Sequence, residues 1–400
     1  MMIFKNLNSF LKLVLISSIL FMNFFMPLRA ENSRVIKNIP YAIEPIFETV
    51  NSFVEGLAAV KINHNWGFID KSGKVVIDPQ FNPWQAQFNS YFSEGLVAVN
   101  FNSGKDEKNS IDANDVQNLR WGFADKTGKV VIPPIFMGEL SNPPLFSDGL
   151  ASVMFSSAFP NSQLLMSVSA KYGYINKNGE TVIEPLFDKA FAFVKGLALV
   201  EKDGKYGFIN KNGEVVIQLI YDSLSQFSED LSVASLDKKY FLIDKKGNRI
   251  SKKTYDFLED FSEGLAKFTE NGKFGFIDKS ERIVIRPIYQ DGSILSYFGA
   301  FRDGLFKIEF GFNGGKSFLG SGKFGYIDKT GKVAINPIFD SADDFKAGKA
   351  VVSKDGKYFF INKRGERISQ NFDDLGYESD GMIKFSVGNI LNRKYGFIRW

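Results

Sequence analysis

The chain has 400 residues, 44% hydrophobic, 15% aromatic and 24% charged, with a net charge of +4, one histidine and no cysteine. This is the composition of a folded protein; it excludes disulfides, thiolate metal sites and thiol catalysis, and it gives no basis for a histidine-built metal centre. The first thirty residues hold Lys5, Lys12 and Arg29 and no acid, so the remainder carries only +1 and makes no electrostatic case for nucleic acid.

Lys5 and Lys12 precede an apolar run from Leu13 to Met26, which leads into Pro27-Leu28-Arg29-Ala30. A basic start, a short apolar core and a small final residue form the pattern of a secretory signal over residues 1–30, with cleavage after Ala30. Fourteen residues are short for a membrane span, which needs about 20. No other stretch could cross a bilayer as a helix, so no transmembrane segment is expected in the mature chain. With no cysteine, lipid anchoring at the cleavage site is excluded. The expected location is the periplasm, the cell surface or the exterior.

Residues 31–400 form a repeat array. Trp66-Gly67-Phe68-Ile69-Asp70-Lys71-Ser72-Gly73 is the first clear copy of a motif that returns around Gly122, Gly173, Gly207, Phe241, Gly275, Gly325, Phe359 and Gly396, nine copies in all. Positions 173, 207, 241 and 275 are spaced by 34 residues. A fixed period of this length means one small unit stacked many times.

One unit reads as three strands: A, Leu197 to Glu201; B, Tyr206 to Asn210; C, Glu214 to Ile217. Asp203-Gly204 and Lys211-Asn212-Gly213 are tight hairpin signals between them. The runs are too short for helices and rich in Val, Ile, Phe and Tyr. Pro79, Pro134, Pro185, Pro287 and Pro337 follow strand C and are expected to end it. Both faces of the unit are apolar, so each sheet is expected to be covered by its neighbours. The central glycine is expected to admit an aromatic ring from the next unit.

The fold class is therefore all-β: nine tandem three-stranded meander repeats stacked as blades. Two arrangements fit, a propeller-like ring and an open superhelical solenoid. The array begins with a lone strand C, Tyr41 to Phe47, and ends with a lone strand B, Tyr395 to Trp400. Together they complete one unit, as in a ring whose last blade is shared by the chain ends. Nine blades, however, exceed the usual range of about four to eight.

The motif Tyr-Gly-Phe-Ile-Asp-Lys-x-Gly-Lys-x-Val-Ile-x-Pro-x-Phe, followed by Phe-Ser-Glu-Gly-Leu-Ala, resembles the bacterial WG-repeat family; Trp66-Gly67 and Trp121-Gly122 are literal WG pairs. The resemblance spans residues 41 to 400. It implies a secreted or envelope repeat protein and no settled biochemical activity. The copies at Phe241 and Phe359 lack the glycine and are expected to pack differently.

The units differ most in the A–B turn. From the Gly-Leu position to the central glycine is 11 residues between Gly196 and Gly207, but 27 between Gly95 and Gly122, 24 between Gly149 and Gly173, and 21 between Gly304 and Gly325. All three insertions emerge on one edge, which marks that edge as a candidate binding face; a turn that merely tolerates length explains them equally well. Asn102 to Leu119 is polar. Phe155 to Ser169 is apolar and contains Phe159, Leu164 and Leu165. Phe310 to Gly322 is glycine-rich and contains Phe312 and Phe318. These five apolar residues are the candidate partner contacts.

Other chemistry is weak. His64 is a lone turn histidine. Asp112-Ala113-Asn114-Asp115 lacks the glycine and glutamate of a calcium loop. Gly315-Lys316-Ser317 lacks the first glycine of a phosphate loop, since position 310 is Phe310. The basic residues from Lys238 to Lys253 read as solvated turns, or else as contacts for an anionic polymer. Asp70, Asp125, Asp244, Asp278 and Asp328 share one hairpin corner, where Asn176, Asn210 and Asn362 replace them. Asparagine can hold a turn but cannot act as an acid, so turn bonding is favoured over paired carboxylates for glycoside cleavage. The aromatic before each glycine is read as core rather than as a sugar-stacking ladder.

No catalytic residue, cofactor or metal is expected. The leading reading is an exported, non-enzymatic scaffold that binds a protein or glycan partner through its A–B loops, with no nucleic acid partner. The alternatives are a cell-wall or polysaccharide binder and a glycoside hydrolase. The signal pattern predicts that N-terminal sequencing of the mature protein starts near residue 31; a mature chain still beginning at Met1 refutes export by this route.

Overall fold

The computed structural model describes residues 39–63, 65–81, 91–100, 120–137, 143–155, 170–290, 299–310, 322–388 and 392–400. The expected signal segment and most of the three inserted loops lie outside them. Among the described residues every regular element is a β-strand, arranged in small antiparallel sheets, and no helix is long and apolar enough to cross a membrane.

The unit around Gly207 shows the plan. Strand A, Leu197–Lys202, pairs in unbroken register with strand B, Lys205–Asn210, from Leu197↔Asn210 to Lys202↔Lys205. Strand B then pairs with strand C, Val215–Tyr221. A short fourth strand, Lys189–Ala190, precedes A and pairs with it. Lead strands at Ser223–Leu224, Phe257–Leu258 and Ser341–Ala342 do the same in their units. The expected three strands per unit thus become four in the units led by Lys189–Ala190 and Phe257–Leu258, and stay three in the other two, which lack a continuous strand C.

Strand C also departs from expectation. It does not stop at its proline. Pro79 lies inside Val75–Phe81, and Pro185 inside Thr181–Phe187. A bulge lies at this point of the strand, and also in Val215–Tyr221, where Leu219 stands in place of the proline. Tyr206 faces Tyr221 and Phe208 faces Ile217, so two residues of B span four of C; Trp66↔Phe81 and Phe68↔Ile77 repeat the shift. A bulge leaves residues out of the ladder, which is where a residue without an N–H does no harm.

The bulge explains the central glycine. A β-carbon on Gly207 would lie 2.5 Å from the Ile217 carbonyl oxygen and 2.9 Å from Leu219 Cγ. On Gly67 it would lie 2.5 Å from the Ile77 oxygen and 2.9 Å from the Pro79 nitrogen. The glycine therefore admits the bulged backbone of its own strand C, not a neighbour's ring. Neighbour packing occurs instead at the B–C turn, where Gly213 sits against the Ile183 side chain of the preceding unit.

The Phe241 and Phe359 units follow a different rule. In place of a continuous strand C they make only isolated bridges, Ile243↔Arg249 with Tyr240↔Tyr255, and Ile361↔Arg367 with Tyr358↔Phe372. The Leu242 amide donates to Ser251 Oγ, and the Phe360 amide to Ser369 Oγ. The Arg249 and Arg367 guanidinium groups cover the Phe241 and Phe359 rings at 4.6 and 4.8 Å. Where the bulge is absent a large side chain fits, as expected for units that pack differently.

Strand C leaves one face open. In Val215–Tyr221 only Ile217 and Tyr221 are buried, while Val215, Val216 and Ile220 are exposed. The expectation of two covered faces therefore holds for A and B and fails for C, the sheet's edge.

Neighbouring sheets share their cores. The aromatic after each central glycine meets a phenylalanine from the segment entering the next unit: Phe68 with Phe92 at 5.0 Å, Phe123 with Phe146 at 4.8 Å, Phe208 with Phe227 at 4.9 Å and Phe276 with Phe301 at 5.0 Å. Such pairs contribute about 0.5–1.5 kcal/mol each beyond their buried area. Phe397 and Phe53 make the same contact at 4.7 Å, which packs the last strand B against the first full unit.

The chain segments at the two ends complete one sheet. Tyr41–Phe47 pairs with Lys394–Arg399 through Tyr41↔Ile398, Ile43↔Phe397 and Phe47↔Tyr395. Gly396 faces the Ile43 carbonyl as Gly207 faces that of Ile217. This is the shared unit that a ring requires.

Gly207→Val is expected to lower the denaturant midpoint strongly, since overpacking costs about 1–3 kcal/mol and backbone cannot yield like a side chain. Gly204→Ala, at φ +73° with open space around it, should cost only about 1 kcal/mol from backbone strain. Equal losses in chemical unfolding would show that the bulge contact is not what fixes Gly207.

Candidate functional site

Each strand A is entered through a two-residue turn with positive φ at both positions, as at Glu55-Gly56, Glu94-Gly95 and Glu263-Gly264, the conformation of a type I′ hairpin. These turns carry the Phe-Ser-Glu-Gly motif. Its phenylalanine packs back on the preceding unit's strand B. Its serine and glutamate reach forward. Ser93 Oγ donates to the Phe146 carbonyl, Ser228 Oγ to Phe261 and Ser262 Oγ to Phe301. The Glu55 carboxylate accepts the Glu94 and Gly95 amides at 2.6 and 3.0 Å, and Glu94 accepts the Gly149 amide at 3.1 Å. Glu229 accepts from Gly264 at 3.1 Å, and Glu263 from Gly304 at 2.9 Å.

The motif lysine completes each seam. Lys126 Nζ lies 3.2 Å from Glu55, Lys177 3.0 Å from Glu94, Lys279 3.1 Å from Glu229 and Lys329 3.1 Å from Glu263. Between the chain ends, Asp380 accepts the Gly56 amide at 2.7 Å and pairs with Lys71 at 2.9 Å. A belt of carboxylates, amides and lysines thus joins unit to unit at one end of the sheets. At Glu55, partial burial works to raise the carboxyl's pKa, but Lys126 and the two amides outweigh it and hold it below the ordinary 4.5. At Asp380, Lys71 leads, aided by the Gly56 amide, and the result is again downward.

The opposite end carries the A–B turns. Asp188 and Asp222, each just past a strand C, accept the amides of Asp203 and Asp237 in those turns, both at 2.8 Å. Lys171 and Lys205 pair with the same two aspartates.

The belt breaks beside a cavity of about 530 Å³. Four motif positions change around it. Arg302 and Lys346 stand where the motif has serine. Ala347 stands where it has glutamate. Trp400, which follows Tyr395-Gly396-Phe397-Ile398-Arg399, stands where it has lysine. With no carboxylate at Ala347, the Gly381 amide donates to Glu378 of its own strand at 2.7 Å, and Lys346 pairs with Glu378. The wall also holds Tyr377, Lys349, Lys307, Asp343 and Asp344. The Trp400 ring packs edge-on against Phe360 at 5.5 Å, and Lys349 Nζ stands 4.5 Å from the Trp400 centroid. Burial pushes the Asp343 carboxyl up to about 6 against the pull of Lys307, with Asp344 adding to the rise. Tyr377 is hydrogen-bonded to Asp343 and is raised in turn, chiefly by that carboxylate.

The sequence candidates fare unevenly. Phe159, Leu164, Leu165, Phe312 and Phe318 lie outside the described residues, as do His64, Asp112, Asp115 and Gly315-Lys316-Ser317. Their flanks are described: Asn100↔Trp121, Phe155↔Lys171 and Phe310↔Lys323 are paired to the mouths of the three loops. The corner acids do hold their turns. Asp70 Oδ1 accepts the Ser72 and Lys74 amides at 2.9 and 3.1 Å, and Asn210 Oδ1 accepts those of Asn212 and Glu214, both at 3.0 Å. Of the aromatics before the glycine, Trp66, Trp121, Phe274 and Phe324 are buried, and Tyr172, Tyr206 and Tyr395 are half-buried. In the basic stretch, Lys239 pairs with Asp256, Lys245 with Asp230, and Lys253 covers Tyr255. Among the described residues, no group of three or more His, Asp or Glu side chains could hold a metal ion.

The sequence pattern of the WG-containing repeat family matches residues 41–65, 66–82, 121–136, 172–206, 206–240, 240–274, 274–311 and 324–358. The chain belongs to the WG-containing repeat family. Comparison with curated proteins finds none that matches this WG-repeat chain in sequence. Among solved structures, the crystal structure of a eukaryotic initiation factor is similar at a TM-score of 0.51 and 12% identity, over 82% of this chain and 88% of that one. The WD40 domain of SCAP from fission yeast is similar at 0.37 and 9%, over 91% and 98%. BamB from Moraxella catarrhalis is similar at 0.36 and 10%, over 86% and 89%. The WG-repeat fold is all-β and propeller-like.

The lowered belt carboxylates give the sign of a pH effect. Their stabilisation is fully present above the unfolded carboxylate values and is lost as pH falls through the folded ones. The thermal midpoint is therefore expected to hold near neutrality and to fall between about pH 5 and pH 3. The double variant Glu55→Gln/Glu263→Gln should start lower and fall less steeply in differential scanning calorimetry. A slope identical to that of the unaltered chain would remove the belt from the account of acid sensitivity.

Proposed function

We propose that this WG-repeat chain is an exported, non-enzymatic binding scaffold that engages a protein or glycan partner through the loops of its A–B edge. One observation carries the reading. The three long insertions open from the same end of their hairpins, and each hairpin is paired to the last residue before its loop. In the Gly207 unit the same register closes with Asp203-Gly204 alone. The pairing of strands A and B therefore does not require an insertion, which leaves loop length free to serve binding.

The non-enzymatic part is supported by where the motif acids are committed. Asp70, Asp125 and Asp328 bond the amides and hydroxyls of their own turns, and Glu55, Glu94 and Glu263 cap the next unit. Export rests on the basic and apolar pattern of residues 1–30. Closure of the array into a ring is supported by the pairing of Tyr41–Phe47 with Lys394–Arg399.

Replacing residues 156–168 with a two-residue Asp-Gly turn should leave the unfolding midpoint close to that of the full chain and abolish partner capture from an envelope extract. An identical set of captured partners would move binding away from this edge; a collapsed midpoint would show that the loop supports the fold.

A further inference from the structure

Strand C is the open edge of its sheet in the units around Gly173, Gly207, Gly275 and Gly325. Its sixth residue there is Leu186, Ile220, Ile288 or Ile338, and these side chains are between 45% and 63% exposed. That position reaches the next unit: Gln80, which occupies it in Val75–Phe81, donates to the Gly128 carbonyl at 3.4 Å. Each open edge therefore presents aliphatic groups beside the B–C turn that follows. Open aliphatic edges invite another chain, and a guard of charges of one sign keeps copies of the same chain apart.

Here the charges have two signs. From the B–C turn to the end of strand C, over 180–187 and 214–221, the charged side chains are Glu180, Glu184 and Glu214, all acids. Over 282–289 and 332–339 they are Arg282, Arg286 and Lys332, all bases. All six are exposed. Glu180 and Glu214 bond the neutral amides of Asn176 and Asn210, both at 2.7 Å. The corner acids beside the bases turn inward: Asp278 and Asp328 hold the Ser280 and Thr330 amides, and the Arg282 side chain, 2.7 Å from Asp278, stays 80% exposed. Of the turn lysines, Lys177, Lys279 and Lys329 are drawn onto Glu94, Glu229 and Glu263. Lys211 is the one turn lysine of these four units free of a belt carboxylate among the described residues.

The signs are ordered about one unit. The Gly173 and Gly207 units precede the Phe241 unit, and the Gly275 and Gly325 units follow it. A two-fold axis through the Phe241 unit sets each unit before it against the matching unit after it in a second copy. Glu214 then meets Arg282 and Glu180 meets Lys332, each pair twice. Residues on the axis meet their own copies, where an outward charge would repel. The Phe241 unit has no continuous strand C; its turn position is Asn248, Arg249 lies over the Phe241 ring, and Ile250 is exposed. Residues 31–400 carry only +1, so net charge does not oppose the pairing.

We propose that a second copy of this chain docks on these strand C edges, related by a two-fold axis at the Phe241 unit, with aliphatic side chains between the copies and Glu214–Arg282 and Glu180–Lys332 pairs across them. This contact goes beyond the loop-edge reading and leaves the A–B turns, at the other end of the hairpins, free.

Sedimentation velocity of the purified full chain tests this. A dimer is expected, and it should weaken as salt rises. Glu214→Arg places like charges on both sides of the axis, and so does Arg282→Glu. Each should weaken the dimer at least about tenfold, as attraction gives way to repulsion at two symmetric contacts. An equimolar mixture of the two variants should dimerise again, because each copy supplies the charge that the other lost. Glu214 and Arg282 also bond Asn210 and Asp278, so the thermal midpoint is read alongside, and Glu180→Lys with Lys332→Glu repeats the swap where a turn is damaged. A chain that stays monomeric at every concentration, single variants that associate as the unaltered chain does, or a mixture that stays monomeric would each overturn the proposal. So would a monomer that binds neutral lipid vesicles, which would give the aliphatic edge to a membrane.

Discussion

The array rests on one close approach: a glycine α-carbon against a bulged carbonyl. Strand B can lie flat against a bulged strand C only where no β-carbon intervenes, as at Gly207 beside Ile217 and Gly67 beside Ile77. The bulge shifts the register by two, which buries Ile217 and Tyr221, leaves Leu219 half-buried and turns Gln218 and Ile220 outward. The strand's course then sets where the chain enters the next unit and which phenylalanine meets the aromatic after the glycine. The two units that lack the glycine show the dependence from the other side. Phe241 and Phe359 occur with Gly247-x-Arg249-Ile250-Ser251 and Gly365-x-Arg367-Ile368-Ser369, where bridges and a serine replace strand C.

Units are joined by three kinds of contact that act over different ranges. Aromatic pairs fill the space between sheets. Serine hydroxyls and carboxylates then fix the turns, because buried or half-buried amides left without acceptors are costly. Lysines sit over the carboxylates at the surface and add little individually. The same division holds at the opposite end, where Asp188 and Asp222 bond the A–B turns. The charged residues that dominate the motif are thus mainly structural, and a seam where Ala347 and Trp400 replace them lies beside a cavity.

Much of this was legible in the sequence. The period, the strand order and the turn role of Asp70 and Asn210 follow from spacing and from the chemistry of asparagine. The unit shared by Tyr41–Phe47 and Lys394–Arg399 follows from completing the motif. The fate of strand C was not legible, because a proline reads as a stop and a bulge depends on what lies opposite. The partner of the central glycine was not legible either, because spacing cannot tell a carbonyl of the same sheet from a ring of the next. The cavity left a signal that insertion lengths do not carry. Phe301-Arg302-Asp303-Gly304 and Phe345-Lys346-Ala347-Gly348 break the Phe-Ser-Glu-Gly rule at adjacent units, and Trp400 breaks the lysine rule.

Each regular unit both gives and receives: Glu94 caps the unit ahead, while its own amide and Lys126 take the carboxylate from the unit behind. A unit of this kind can be copied or removed whole without orphaning a charge, since every copy presents the same socket and the same plug. Growth of the array by duplication is then electrostatically neutral at seams such as Glu55 and Glu263. At Ala347 and Lys195 this position supplies no carboxylate to the following turn, and after Ala347 the Gly381 amide turns to Glu378 instead.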